Sequence, residues 1–166
     1  MAIDLVSSTT IGSGGAAGVT FSSIPQTGKD LLILISGRSA STTSSSIELN
    51  INGTGVTTNW SRQHLTGDGS TATAATGTTA IFANSITTDA QTASTFGNTQ
   101  IYISNYTAST AKPLSIDAVN ENNATAANQR LNAAIWNNTA AITSISVDGN
   151  SGNLQQHSTV ALYIIS

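Results

Sequence analysis

Large apolar residues in this chain keep a period of two and almost never a period of 3.6. In "SIELNIN", Ile47, Leu49 and Ile51 fall on one side, with Glu48, Asn50 and Asn52 on the other. "PLSIDAV" repeats the pattern, with Leu114, Ile116 and Ala118 set against Ser115 and Asp117. This is the alternation of a strand with one face in a core and the other in water. Apolar residues rarely recur at three and four, so an amphipathic helix has little to build on. Candidate strands fall at about 2–6, 17–22, 30–38, 46–52, 58–65, 79–83, 98–105, 113–120, 129–136, 142–148 and 157–165. Turn residues separate them, with Asn52-Gly53 and Asp148-Gly149 suited to positions of positive φ. The expected fold is all-β: a single sandwich domain over 1–166, of jelly-roll type, with about ten short antiparallel strands. An up-and-down barrel is the alternative architecture.

Two strands break the alternation. Leu31 to Ile35 is a run of five large apolar residues, and "VALYIIS" at Val160–Ser166 is nearly as apolar. Each is either a central strand with a loop over its second face or a strand whose second face meets another subunit. Leu32, Leu34 and Tyr163 are therefore candidate partner contacts. Two segments offer no large apolar anchor. Thr66–Thr79, "TGDGSTATAATGTT", and Ser39–Ser46 read as surface loops. "NENNATAANQR" reads as a polar loop with room for a helical turn.

Charge narrows the function. Only 8% of the 166 residues are charged, and the net charge is -3. No basic patch is present to release counterions from nucleic acid, and no polybasic segment marks a membrane surface. No apolar run approaches the roughly 18 residues of a membrane span, and "MAIDLVSSTT" has no leader-like basic and apolar regions. There is no Cys, so thiolate metal sites and disulfides are excluded. A low net charge suits close packing of many copies.

Chemistry-bearing patterns are sparse. His64 and His157 each sit among hydroxyl residues, but no G-x-S-x-G elbow accompanies them. Glu48 and Glu121 are the glutamates available for paired-carboxylate chemistry, and nothing in the sequence brings them together. "DGNSGN" at Asp148–Asn153 has one carboxylate and no closing Glu, so it reads as a turn and not as a calcium loop. The expectation is a non-enzyme with no catalytic, metal or cofactor site. Trp60 and Trp136, each beside Asn, are core or interface residues, or platforms for a sugar ring. Tyr102 has the same choice.

"VTFSSIPQT", "AAIWNNTAAITSISV" and "GNLQQHSTVALYIIS" together resemble a family of small virion proteins of tailed phages, of the marine and cyanobacterial podovirus kind. Phe21, Ile24, Pro25, Gln26 and Thr27 match the first motif. Trp136, Thr139, Ala140, Ala141, Ile142, Thr143 and Ile145 match the second. Ser158, Leu162 and Tyr163 match the third, with Ile164 where Gly is usual. The resemblance implies a β-sandwich structural protein and carries no catalytic residues. It implies a capsid decoration or cement protein on the outer surface of the phage head, made in the host cytoplasm. Its partners would be the major capsid protein and further copies of itself, as a homotrimer, with no nucleic acid and no membrane. The alternative is a tail-fibre or receptor-binding domain that recognises host glycan through an exposed Trp60. The expected partner contacts are Leu32, Leu34, Trp60, Trp136, Tyr102 and Tyr163.

Overall fold

The computed structural model describes residues 2–83, 85–121 and 127–166. Among them lie thirteen strands and no helix. They are β1 (Ile3–Thr10), β2 (Gly18–Phe21), β3 (Asp30–Ser39), β4 (Ser46–Ile51), β5 (Trp60–Gly67), β6 (Ala72–Gly77) and β7 (Ile81–Ala83), followed by β8 (Thr87–Thr88), β9 (Gly97–Ile103), β10 (Lys112–Glu121), β11 (Ala127–Trp136), β12 (Ile145–Gly149) and β13 (Thr159–Ile165). The large sheet runs β1-β13-β3-β9-β10-β11-β5-β6, with β8 attached to β3. The small sheet runs β2-β12-β4-β7. Every pairing is antiparallel except β3 with β8. The two sheets form an all-β sandwich. They are nine and four strands wide, whereas a jelly roll folds about eight strands into two Greek keys.

The period of two builds the core. Ile47, Leu49 and Ile51 of β4 are wholly buried, and Val147 and Ile145 of β12 lie beside them. Across the gap the large sheet contributes Leu31, Ile33 and Ile35 of β3, Ile101 and Ile103 of β9, Leu114 and Ile116 of β10, and Val160, Leu162 and Ile164 of β13. Each such side chain contributes about 1.5–3 kcal/mol on burial.

The first two motifs meet in one corner. Gln26 Nε2 donates to Ile24 O and to Ile142 O, both at 2.9 Å, and Ile24 N donates to Thr143 O at 2.9 Å. The buried Tyr106 donates its hydroxyl to Pro25 O, and its carbonyl accepts from Ile142 N at 2.9 Å. Asn52 holds the same loop from the other side, donating to Ala141 O at 2.8 Å and accepting from Thr143 N at 2.9 Å. Buried Ser158 accepts from Arg38 N at 3.0 Å, tying β13 to β3. These residues hold backbone in place.

Three expectations change. Thr66–Thr79 is not a loop: β5 and β6 form a hairpin, with Leu65 opposite Ala74. Asp68 makes the turn, accepting from Thr71 N at 2.7 Å and Ser70 N at 2.9 Å, while Gly69 sits at φ +88°. An edge strand of Ala and Thr needs no apolar anchor once its turn fixes the register. Bonds from Thr71 N first, then Ser70 N, hold the Asp68 carboxyl well below the usual carboxylate range. The polar stretch after Asn120 is also shorter than expected, because β10 runs to Glu121 and β11 starts at Ala127; 122–126 lie outside the described residues. Positive φ falls at Asn52 and Gly53 as expected, but near the second turn it falls at Gly152 and not at Gly149.

Candidate functional site

Residues directly opposed in antiparallel strands share a face, so the register sorts the large sheet into an inner face on the core and an outer face. The outer face answers the question of what covers the second side of Leu31–Ile35. Leu32 lies between Tyr163 of β13 and Tyr102 of β9. The Tyr102 hydroxyl donates to Asp30 Oδ2 at 2.6 Å, and that bond, then burial, raises its pKa. Leu34 lies between Ala161 and Gln100 and is 36% exposed. Among the described residues, two tyrosines flank Leu32 on this face, and Leu34 is exposed.

All seven exposed large aliphatic side chains of the described residues belong to this outer face: Ile3, Leu5, Leu34, Leu65, Val119, Leu131 and Ile135. Six of them gather at its two flanks, and Val119 stands on β10 between. One flank, on β1, β13 and β3, has Ile3, Leu5, Leu34, Leu32 and Tyr163. The other, on β11, β5 and β6, places Leu131 opposite Leu65 and Leu65 opposite Ala74, with Leu65 59% exposed. A groove of about 530 Å³ opens over this second flank, lined by Leu65, Leu131, Ala74, Ala133, Gln63 and Ser115. Gln100, Ser115 and Asp117 on β9 and β10 separate the flanks. Solvated sheet faces usually carry polar residues, and contiguous apolar patches mark contact surfaces.

Of the six expected partner contacts, Leu32, Leu34, Tyr102 and Tyr163 share the first flank or its border. Trp60 and Trp136 do not. They face each other on the inner side of β5 and β11, at 5% and 0% exposure. As register partners at one end of the β5–β11 ladder, the two indoles together fill the gap between layers there. Neither indole Nε1 has an acceptor, so the backbone partner expected for a core Trp is not there. A glycan-binding groove built on an exposed Trp60 loses its platform. The signal that could have separated these cases is register: Trp136 is in phase with Ala134, whereas Ile135 is out of phase and exposed.

The same inner ladder continues from aromatic to cationic. After Trp60 and Trp136 come Arg62 opposite Ala134, His64 opposite Asn132, and Thr66 opposite Arg130. Arg62 Nη1 lies 3.4 Å from His64 Nδ1. Burial first, then Arg130, then Arg62, push the His64 pKa down. This grouping was not foreseen, because residues 62 and 130 meet only through sheet register. His157 lies elsewhere, in a turn at φ 72° with its amide bonded to Ile11 O. Glu48 accepts from Asn150 on the small sheet, while Glu121 accepts from Thr92 N at 2.7 Å at the end of β10. Asp148–Asn153 forms a turn, with Ser151 O accepting from Ser39 and Ser45. Among the described residues no three His, Asp or Glu side chains are grouped to hold a metal.

Comparison of the chain with protein-family models, curated proteins and solved structures returns no match.

Proposed function

We propose that this chain is a virion structural protein of a tailed phage, decorating the outer surface of the head and cementing it. The observation that carries the reading is the gathering of every exposed large aliphatic side chain on the outer face of the large sheet. A cement protein works by burying surface that only the assembled shell provides, which stabilises that shell by mass action. A subunit that bridges neighbours needs two contact areas, and this face offers two apolar flanks. One would meet the major capsid protein and the other a further copy, within a homotrimer. The motif resemblance supports the same reading, since the family it points to is one of virion structural proteins.

Immunogold electron microscopy of intact virions tests location. Label spread over the head is the expected result, and label confined to the tail overturns the reading. The face is tested separately by Leu65→Ser with Leu131→Ser. Solvent-facing changes leave the monomer's stability within about 0.5 kcal/mol. Affinity for capsid shells should fall about tenfold or more, the worth of one buried leucine or more.

A further inference from the structure

We propose that the corner formed by Arg62, His64, Arg130 and Asn132 on the inner face is a binding site for a small oxyanion. The small sheet has four strands against nine in the large one, and β5 and β6 form the last two strands at one edge of the large sheet. Arg62, His64 and Thr66 are accordingly half-buried, and the neighbouring β6 residues Thr73 and Ala75 are exposed and small. Small exposed side chains therefore flank the cations on the β6 side.

Apart from the contact between Arg62 Nη1 and His64 Nδ1, several of its buried polar atoms have no protein partner. Arg130 is 7% exposed and its Nε has no acceptor. Asn132 is 5% exposed and neither its Nδ2 nor its Oδ1 is bonded. Arg62 Nε and Thr66 Oγ1 are also unpartnered. Among the described residues the one ion pair is Arg38 with Asp89, on another part of β3, so no carboxylate balances these guanidinia. Native structures rarely leave buried donors orphaned, and they rarely bury like charges side by side. Here two of the five Lys and Arg residues of an acidic chain do both.

The geometry also makes room for them. Arg62 lies across its register partner Gly77, where an added Cβ would stand 2.6 Å from Nη2. A side chain there would displace the guanidinium. Two guanidinium forks, an amide and an imidazole suit a group with several acceptor oxygens: phosphate, sulfate or carboxylate. The side chains of the site belong to the inner face, whereas the proposed docking surface is the outer one.

The test is titration of the full chain with inorganic phosphate, sulfate or acetate, against chloride at matched ionic strength. Two readouts are followed: the melting temperature and the ¹H–¹⁵N resonances of Arg62 Nε, Arg130 Nε and Asn132 Nδ2. The expected result is a saturable rise in Tm of a few degrees with movement of those three resonances. Arg130→Gln should abolish both responses. Asn132→Asp should raise Tm without added anion and remove the response, because the carboxylate takes the ligand's place. Response to phosphate and sulfate alone assigns a tetrahedral anion, and response to acetate assigns a carboxylate. The proposal is overturned if none of the three anions exceeds chloride, or if Arg130→Gln responds like the parent.

Discussion

The ladder between β5 and β11 is aromatic at one end and cationic at the other, and the two ends treat buried charge differently. At the aromatic end, Lys112 of β10 stands opposite Trp136 and is wholly buried. Its Nζ donates to Ala108 O at 2.7 Å and Thr110 O at 2.5 Å, and lies 6.0 Å from the Trp136 ring centroid. Burial lowers its pKa, but two carbonyls and an aromatic face hold the cation. At the cationic end Arg130 is nearly as buried and has no acceptor. The indole N–H groups are orphaned too, but they are neutral, and leaving a neutral donor unpaired is far less costly than leaving a guanidinium so. Lys112 is thus a structural cation that closes the end of the sandwich. Arg130 has no such structural task.

Substitutions can break that contrast. Trp136→Ala should have the largest effect, a loss of about 3–5 kcal/mol in urea unfolding, because it empties the space between the layers and removes the ring beneath Lys112. A loss under about 1 kcal/mol would mean that the layers collapse to fill the space. Lys112→Met comes next. It keeps the volume but orphans the carbonyls of Ala108 and Thr110, and should cost about 1–3 kcal/mol. Arg130→Met is the sharper half of the comparison. No hydrogen bond is lost and a like-charge contact with Arg62 is relieved, so stability in chloride buffer should be unchanged or higher. If Arg130→Met costs as much as Lys112→Met, the two ends are alike and the contrast fails.

Much of this architecture was legible in the residues, and the limits are physical. Alternation placed β4 and β10, because a buried face demands large apolar side chains, and unbroken apolar runs placed β3 and β13 without saying which of their faces is the core one. The β6 edge strand was not legible, since Ala72–Gly77 buries nothing and is held by backbone pairing and the Asp68 turn. Of the site, Leu32, Leu34 and Tyr163 could be named from apolar runs, and Tyr102 as an aromatic on a polar-flanked strand. Leu65 and Leu131 could not, because each stands alone among polar neighbours and only their opposed register makes a patch. The same holds for Arg62 and Arg130, which no local pattern connects. Trp60 and Trp136 stayed open between core, interface and surface because a single Trp beside Asn carries no phase information, and their burial places them in the core.

The smallest expected effect is a pH slope at His64. Its folded pKa lies below its ordinary 6.5, through burial first and then through Arg130 and Arg62. In the unfolded chain it titrates near its ordinary value, so on acidification the unfolded state takes up a proton that the folded state resists. Stability is therefore full above about pH 6.5 and declines as pH falls from there through the folded pKa. Thermal melts in chloride between about pH 7.5 and 5.5 should show this decline, and His64→Gln should flatten it. His157→Gln serves as the control and should leave the difference between parent and His64→Gln in place. Arg130→Met should make the slope shallower, since it removes one of the two like charges that hold His64 neutral. Stability that rises on acidification in the parent and not in His64→Gln would place an unseen anionic partner beside the imidazole. It would also contradict the contrast between the two ends of the ladder.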